Sequence, residues 1–585
     1  MARKTAKRHI DDYDNNFLFG TYKGQPIGLS LNNKLVNRSA NALVIGGTGT
    51  GKTFKYVKPN LLQENCSIVV TDPSGDIFRS FAPYLIRKGY NVQLFNISDP
   101  TVSCHYNPLA HVYDIDGNIS EREVQVLADL YLKNAKRGKE AGSSDPFWEK
   151  AELQLILALM YYVLENDEFS REDKCFTTVY HLATRLNDGE QGQAPRPGVR
   201  PLEEELQEWY ARCEAAGKRI HAKDYFDGFF TSSGNTRRSI LISAVVDLQI
   251  FAVSEIARVT RTNVVYKDAN INIDRIANQQ SYLFLSIPQA HEAYNFLVAM
   301  LYSQLYSRLY QLGERGIRGK WHIGYRVGTP IFDPFDSEEL AKEFYETITK
   351  EDNILERDYL NGMKIYHLMW HGKSFKTSFE RKPLEDCIDN LKEMVIWSGE
   401  EVAGGDPALP TQVLFLLDEF ANIGEIPNFR RILSTSRKYR IGSHVIIQNI
   451  GQLKGMYKES QHEDVLANVD TTIFLGSIMQ EDKEYIQKML GKTTYRKKST
   501  SSSKSGPSTS YSPEEAQVLT MDQIEKINQG RRDDEIVIVR DCAPFLCQKL
   551  NLTKHKRYGE YKKVKMPTED LYRYFRNDRQ EEPYH

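Results

Sequence analysis

A glycine-rich segment that ends in lysine and threonine carries the clearest chemistry in this sequence. Residues 46–53 read GGTGTGKT, a complete G-x-x-x-x-G-K-[ST] pattern, and they follow a short apolar run at 42–45. Glycines allow a backbone to wrap around phosphate oxygens, and the N-terminus of the next helix faces the anion. The pattern therefore predicts a nucleotide phosphate site formed by Gly46, Gly47, Thr48, Gly49, Thr50, Gly51, Lys52 and Thr53. Within it, Lys52 would reach the β- and γ-phosphates and the Thr53 hydroxyl would ligate Mg²⁺.

Two adjacent carboxylates form the second chemical feature. Asp418 and Glu419 follow the apolar run VLFLL at 413–417. After a buried strand, Asp418 would lie beside the magnesium shell, and Glu419 would act as the general base toward water. Taken alone, the pair is also compatible with a buried strand that ends in two solvated acids. Together with the glycine loop, it predicts ATP and Mg²⁺ as cofactors of a hydrolase.

The elements that must position these residues alternate along the chain. Short apolar runs separated by helical stretches predict parallel strands and an α/β fold. These runs lie at 42–45, 68–70, 92–95, 281–287, 413–417, 444–448, 472–475 and 535–539. Helical periodicity dominates 119–165 and 201–255, whereas the serine-rich segment 499–512 is typical of a low-complexity loop.

Composition excludes several classes of protein. The formal charge is 76 − 78 = −2, so any contact with DNA must come from local basic patches. The seven cysteines form no CxxC pair, which argues against a zinc module or a disulfide framework. No run of about 18 apolar residues is present, so the sequence predicts a chain without a transmembrane helix.

Several further motifs resemble those of the TraG-type coupling proteins of conjugative type IV secretion systems. They occur in family order over roughly 35–310 and 411–550. The matching segments are VVTDPSGD (69–76), CHYNPL (104–109), DPFWEKAE (145–152), LLDEFANIGEIPNF (416–429), RRILSTSRKYRIGSHVIIQN (430–449) and LGKTT (490–494). Asn468, Asp470 and Leu475-Gly476 also fit this order.

The resemblance implies a RecA-like P-loop NTPase core with an inserted all-helical domain. The expected parts are an N-terminal extension (1–34), the motor domain (35–111, 246–312 and 411–550), the all-helical domain (112–245), an acidic insertion (313–410) and a basic, charged tail (551–585). The family is also expected to carry a membrane anchor, and the sequence pattern predicts none here. The family would act at the cytoplasmic face of the membrane, while this chain is predicted to be soluble.

Two further catalytic residues are implied by the resemblance. Such motors assemble as hexamers in which an arginine completes the ATP site of the neighbouring subunit, and Arg437 matches that arginine. Gln448 matches the sensor glutamine, whose amide would bridge the γ-phosphate or the attacking water. Arg437 as a surface residue and Gln448 as a structural strand-end residue remain open alternatives.

The function implied by the resemblance is delivery of a relaxase–DNA substrate to a secretion channel, driven by DNA-stimulated ATP hydrolysis. Expected partners are DNA, the relaxase and relaxosome proteins, and channel components. Two alternatives are an FtsK-like DNA translocase and a nucleotide-gated adaptor with little ATPase activity. Candidate DNA contacts lie in two basic clusters, with a solvated charged face as the alternative: Arg496, Lys497, Lys498 and Lys504, and then Lys554, Lys556, Arg557, Lys562, Lys563 and Lys565 with Tyr558 and Tyr561.

Overall fold

The computed structural model describes most of the chain, and its strands are numbered here in chain order. The described residues are 15–31, 36, 38–135, 146–190, 201–266, 269–288, 294–315, 320–326, 329–332, 334–350, 354–359, 363–370, 373–378, 381, 384–385, 388–389, 392, 394–398, 408–457, 460–503, 506–528, 533–573 and 575. The strands are β1 Asn16–Tyr22, β2 Gln25–Ser30, β3 Ala42–Gly46, β4 Ser67–Thr71, β5 Asn91–Asn96, β6 Ser281–Ser286, β7 Trp321–Arg326, β8 Thr329–Pro330, β9 Ile354–Tyr359, β10 Met363–Trp370, β11 Lys373–Ser378, β12 Val395–Ser398, β13 Val413–Leu417, β14 Ile441–Ile447, β15 Thr471–Gly476, β16 Lys492–Ser503, β17 Gly506–Gln517, β18 Asp534–Val539 and β19 Phe545–Gln548.

The helices fall between these strands and in one long block before β6. Their bounds are Lys58–Leu61, Asp76–Arg87, Glu121–Ala135, Pro146–Glu165, Phe176–Glu190, Leu202–Ala215, His221–Phe230, Gly234–Leu248, Ser254–Val259, Ile273–Asn278, Asn295–Arg315, Glu338–Ile348, Phe429–Thr435, Ile450–Met456, Gln461–Ala467, Gln480–Leu490, Met521–Glu525, Tyr558–Lys563 and Thr568–Arg573. A π-helix, Lys52–Val57, precedes the first of them.

The chain divides into two compact units. The first unit comprises Met1–Thr71, Thr411–Ala421 and Phe429–Val564, and the second comprises Asp72–Pro410, Asn422–Asn428 and Lys565–His585. The domain boundaries expected from the sequence remain a prediction.

A twisted mixed sheet forms the first unit, in the order β2-β1-β19-β18-β15-β3-β14-β13-β4. Strands β15, β3, β14, β13 and β4 are parallel to one another, whereas β18 joins β15 in antiparallel orientation. The parallel strands are almost wholly apolar, and β3, β13 and β14 are buried along their full length. Strands buried on both faces of a sheet need such runs, which is why the sequence pattern predicted them correctly.

Strands β1 and β2 were not found from the sequence. They form a hairpin at the edge of this sheet, joined by the turn residues Lys23 (φ 52°) and Gly24 (φ 78°). Two central residues with positive φ are typical of a type I′ turn, which suits the right-handed twist of a hairpin. The pairing of β1 with β19 joins residues at opposite ends of the chain, so no local pattern of residues indicates it.

The prediction of a loop at 499–512 is wrong. Strands β16 and β17 pair in antiparallel orientation without a register shift, from Lys492↔Gln517 to Ser503↔Gly506. Serine and threonine favour neither a core nor a helix, so composition alone suggested a loop. Cross-strand backbone hydrogen bonds, together with β-branched threonines, permit an extended hairpin even where few apolar residues are available.

The second unit contains the predicted helical block. Its long helix Pro146–Glu165 carries the run LQLILALMYYVLE, and residues 155–164 are all buried. A helix that is apolar on every side is stable only when other helices surround it, and His221–Phe230 and Gly234–Leu248 pack on it. Both predicted helical regions are therefore confirmed, while the proline-rich stretch 191–200 lies outside the described residues.

Smaller sheets occupy part of the acidic segment 313–410 of the second unit. Strands β9, β10 and β11 form one antiparallel sheet, and β12, β7 and β8 form another. Elsewhere in this unit, β5 and β6 pair in parallel. In the C-terminal tail, Leu571 is 1% exposed and the Tyr572 ring stacks on Phe78, so these charged-tail residues pack into the second unit.

The helix after the glycine loop begins as a π-helix, and Pro59 explains why. Proline has no backbone N–H and its ring clashes with the carbonyl four residues earlier, which here belongs to Lys55. The wider π-turn relieves this conflict: the Lys58 N–H donates to the Thr53 carbonyl, five residues back. Such π segments occur frequently at functional sites.

Buried amide side chains attach this helix to the β1–β2 hairpin. The Asn60 Oδ1 accepts a hydrogen bond from the Leu18 N–H (2.8 Å), and its Nδ2 donates to the Leu18 carbonyl (2.9 Å) and the Tyr56 carbonyl (2.9 Å). Asn60 is 2% exposed. Asn60 therefore joins the hairpin to the glycine-loop helix. Its loss would leave the buried N–H and carbonyl of Leu18 without this partner, which is costly.

We therefore expect Asn60→Ala to lower the free energy of unfolding of the first unit by about 2–4 kcal/mol, since it removes three buried hydrogen bonds. Urea unfolding followed by circular dichroism measures the change. Gln480→Ala is the matched control, because that amide donates only to Glu484 on the surface. Equal stability of the two variants would contradict the assigned role of Asn60.

Candidate nucleotide site

The carboxyl ends of three adjacent parallel strands gather most of the predicted site residues. Strand β14 lies between β3 and β13, with Ile447 opposite Ile45 and Val445 opposite Leu417. The glycine loop follows β3, the two acids follow β13, and Gln448 follows β14. Since parallel strands all end at the same edge, these three segments meet there.

Backbone conformation explains the glycines of the loop. Gly49 and Gly51 have φ angles of 79° and 88°, which side chains with a Cβ rarely adopt. At Gly46, a Cβ would lie 2.6 Å from Thr50 Oγ1, which is too close for any other residue. Thr48 is exposed at the tip of the loop.

The loop is closed by backbone hydrogen bonds at both of its sides. The Gly47 N–H donates to the Gly476 carbonyl at the end of β15 (2.9 Å), and the Thr50 N–H and hydroxyl both donate to the Gly47 carbonyl (3.2 and 2.8 Å). These bonds hold the loop in a curved conformation at the N-terminus of the π-helix. The arrangement suits an anion whose oxygens accept from backbone N–H groups.

Lys52, Thr53 and Asp418 lie together beneath this loop. The Lys52 Nζ donates to the Gly46 carbonyl (2.7 Å), and the Thr53 hydroxyl donates to Asp418 Oδ2 (3.0 Å). The other carboxylate oxygen of Asp418 accepts from the Glu419 N–H (3.1 Å). The predicted magnesium ligands, Thr53 and Asp418, are thus in direct contact.

Burial makes this cluster electrostatically unusual. Asp418 is 3% exposed, and its desolvation raises the pKa of the carboxyl to about 6, against the opposing effects of the Thr53 hydrogen bond and Lys52. Desolvation also lowers the pKa of Lys52, although Asp418 and Glu419 oppose that shift. An acid and a base that both have shifted pKa values and interact electrostatically are typical of functional sites.

Glu419 has a strained backbone. Its φ is 49°, in the left-handed region that residues with a Cβ seldom occupy. Such conformations cost about 1–3 kcal/mol and are concentrated at active sites, where the surrounding structure maintains them. The extended conformation of β13 therefore ends before Glu419.

Gln448 lies half-buried directly after β14, between the two strands that carry the loop and the acids. Its backbone N–H donates to Gln452 Oε1 (2.9 Å). The next turn is held by Asp482, whose carboxylate accepts from the Ile450 N–H (2.8 Å) and from the Ser477 hydroxyl. The structure therefore brings Gln448 to the same edge as Lys52 and Asp418.

Arg437 is at the opposite edge of the sheet. It belongs to the short 3₁₀ helix Ser436–Tyr439, which precedes β14. The seven residues of β14 span about 20 Å at 3.3 Å per residue, so Arg437 is remote from the glycine loop of its own chain. Arg437 is therefore separate from the cluster of Lys52, Thr53 and Asp418, and its predicted role toward a neighbouring subunit stays a prediction.

One residue near the loop was not found from the sequence. The Lys549 Nζ donates to the Thr50 carbonyl (3.3 Å), and this side chain is 4% exposed. Its separation of 499 residues from Thr50 leaves no local pattern, and a single lysine after the last predicted strand carries no signal. Gly476 and Asp482, which support the loop and Gln448, were missed as site residues for the same reason.

The residues of the two predicted DNA-binding clusters differ in their surroundings. Arg557 lies against the main chain: its guanidinium donates to the carbonyls of Leu62 and Gln63 and pairs with Glu64 at 3.7 Å. It therefore has a packing role that the sequence did not reveal. Exposed positions in this cluster are Lys554, Lys556, Lys562, Lys563 and Lys565. Of the other cluster, Arg496, Lys497 and Lys498 lie on β16, while Lys504 lies outside the described residues.

Two kinds of feature are absent from the part of the chain that the structure describes. No cluster of three or more histidine, cysteine or acidic side chains is arranged to hold a metal. Within the same part of the chain, no helix is both long and apolar enough to cross a bilayer.

Solved structures show the same architecture. A bacterial conjugative coupling protein, TrwBdeltaN70, superposes with a TM-score of 0.50 and 11% identity over 94% of this chain and 93% of that one. TrwB in complex with a non-hydrolysable ATP analogue gives 0.50 and 12% over 94% of each chain. At this identity the likeness concerns the fold, which confirms the predicted α/β fold with a RecA-like P-loop NTPase core and an inserted all-helical domain.

Sequence comparisons give the family. The protein VirD4 of Agrobacterium fabrum (strain C58 / ATCC 33970) is 28% identical over 142 residues, and VirD4 of Rhizobium rhizogenes shows the same identity. The match covers 24% of this chain and 21% of each VirD4. The model of the family "Type IV secretory system Conjugative DNA transfer" matches residues 2–320 and 394–568. The chain therefore belongs to the conjugative DNA transfer family of type IV secretion, the family of the coupling proteins.

Proposed function

We propose that this protein hydrolyses ATP to deliver a relaxase–DNA substrate into a type IV secretion channel. The observation that carries the proposal is the contact of Thr53 with Asp418 beside Lys52, beneath a glycine loop and next to the strained Glu419. Together these groups supply phosphate binding, metal ligation and a base. Membership of the conjugative DNA transfer family supports the biological setting.

The residues present fit a Mg²⁺–nucleotide complex. Mg²⁺ prefers hard oxygen ligands and shares its coordination between few protein groups, water and phosphates. The Thr53 hydroxyl and the Asp418 carboxylate, 3.0 Å apart, are such oxygens. The TrwB structures include complexes with ADP and Mg²⁺ and with an ATP analogue, which supports the same cofactors here. When bound, the metal would offset negative charge on the β- and γ-phosphates.

The position of each residue at the edges of the sheet suggests its role in hydrolysis. Lys52 neutralises charge on the phosphates, and loss of solvent strengthens its interaction with them. Glu419 accepts the proton of the attacking water, and Gln448 orients that water from the adjacent strand end. Arg437, at the far edge of the sheet, completes the site of a neighbouring subunit in a hexamer.

We expect Glu419→Gln to bind ATP with parental affinity but to hydrolyse it about 10²- to 10⁴-fold more slowly, because it loses a general base. Lys52→Ala should also lose ATP turnover. Glu425→Gln, which changes an exposed glutamate nearby in the sequence, is the control and should retain the parental turnover. Phosphate release and binding of a fluorescent ATP analogue measure the two effects. Parental turnover by Glu419→Gln would assign the base to another residue.

The position of Arg437 leads to a prediction about assembly. Arg437→Ala should bind ATP yet lose about 10³-fold or more in hydrolysis, because the guanidinium serves charge that develops in the transition state. Mixing it with Glu419→Gln should restore part of the activity, since some interfaces then combine an intact base with an intact arginine. Lys438→Ala, its exposed neighbour, is the control.

Phosphate release by the mixed proteins, and the activity per chain as a function of protein concentration, are the measurements. If subunits exchange while mixing restores nothing, and activity per chain does not depend on concentration, the arginine does not act across an interface.

Substrate delivery distinguishes this function from the two alternatives. The tagged chain with Glu419→Gln should retain the cognate relaxase in a pull-down in the presence of ATP, since hydrolysis is slow and the loaded state persists. Lys52→Ala should retain less. A DNA translocase without a secretion role would bind no relaxase. A nucleotide-gated adaptor would retain the relaxase equally in the parent and in Glu419→Gln, and neither protein would release phosphate.

A further inference from the structure

The β16–β17 hairpin forms an arm on the first unit. Its strands have twelve residues each and pair without interruption, so the arm is about 40 Å long at 3.4 Å per residue. Every described side chain of β16 from Lys492 to Ser499 is exposed. We call this pair of strands the hairpin arm.

Alternation along the strands gives the arm two different faces. On one face, which we call the paired face, Lys497 forms an ion pair with Glu514 (3.1 Å), and the Tyr495 hydroxyl donates to the same carboxylate (2.9 Å). This contact raises the pKa of Lys497 and lowers that of Glu514. The lysine of the paired face therefore already has an acidic partner within the arm.

The other face, which we call the open face, carries Arg496 and Lys498. Its acid, Glu515, pairs with Lys492 at the base of the arm (3.5 Å). Among the residues that the structure describes, neither Arg496 nor Lys498 has an acidic partner. Tyr511 lies directly across from Lys498 in the strand register, and its side chain is 62% exposed.

The open face combines uncompensated charge with an exposed aromatic ring. Arg496 and Lys498 lie two residues apart on one strand, or about 7 Å, so their like charges repel unless an anion lies across both. A tyrosine ring beside a lysine offers a flat surface for a planar group. An extended polyanion with planar substituents satisfies both requirements.

We propose that the open face of the hairpin arm binds single-stranded DNA, with Arg496 and Lys498 on successive phosphates and Tyr511 stacked on an unpaired base. The proposal rests on the proposed function in that DNA is its cargo, and it names the surface that holds the strand. In a duplex the bases are stacked on one another, and only a single strand leaves a base free for Tyr511.

Two adjacent lysines supply the matched test. Lys498→Gln and Lys497→Gln remove the same charge from neighbouring positions on opposite faces. Fluorescence anisotropy with a labelled 30-nucleotide oligo(dT) and the full chain, at several salt concentrations, measures affinity. Lys498→Gln should weaken binding and reduce the slope of log K against log[salt] by about 0.7, one phosphate contact. Lys497→Gln should keep the parental slope.

Substitutions of Tyr511 test stacking separately from charge. Tyr511→Ala should weaken oligo(dT) binding about 5- to 150-fold, the effect of losing one stacked base, while Tyr511→Phe should retain parental affinity. Equal losses in Lys497→Gln and Lys498→Gln, or no loss in Tyr511→Ala, would overturn the proposal. So would a 30-base-pair duplex that binds as tightly as oligo(dT) and is indifferent to Tyr511.

ATP hydrolysis without DNA separates this proposal from the proposed function. The arm variants should keep the parental basal rate, because the arm holds none of the residues of the nucleotide site. If basal hydrolysis is intact and the lysine variants behave alike, the arm assignment alone fails. If no variant or parent hydrolyses ATP while the Lys498 and Tyr511 effects persist, the enzymatic proposal fails and the strand-binding face stands.

Discussion

The parallel register of β3, β14 and β13 is the constraint on which the site depends. It aligns Ile45 with Ile447 and Val445 with Leu417, so that three strand ends lie at one edge. Each strand is buried on both faces, and a shift of register would move its polar end residues into the apolar sheet. The cost of burying those polar groups keeps Asp418 beside Thr53, and it keeps Gln448 at the end of the strand that lies between β3 and β13.

The direction of the parallel strands also places two groups of residues at opposite edges of the sheet. Residues that follow the strands meet at the carboxyl edge, whereas Arg437 precedes β14 and lies at the amino edge. A strand of seven residues is too long for an arginine side chain to bridge. Arg437 therefore lies away from the glycine loop of its own chain, and the proposed hexamer is the arrangement in which it would reach a loop of another subunit.

Sequence reasoning succeeded where the signal is local. The apolar runs of the central strands, the helical block and the pattern GGTGTGKT depend on residues near one another, and the structure shows those strands and helices where they were expected. It failed for β1, β2 and the hairpin arm, where pairing rather than composition decides the conformation. It also missed Lys549, whose contact with Thr50 joins residues far apart in the chain.

The sequence by itself determined the chemistry that is available: a phosphate loop, two carboxylates after a buried strand, and a set of motifs in family order. These are properties of residue type and spacing along the chain. Only the tertiary structure decided which basic side chains of the hairpin arm have an acidic partner and which of the described ones do not. Lys497 and Lys498 are indistinguishable in sequence, yet the pleat places them on opposite faces, and only Lys497 lies within reach of Glu514.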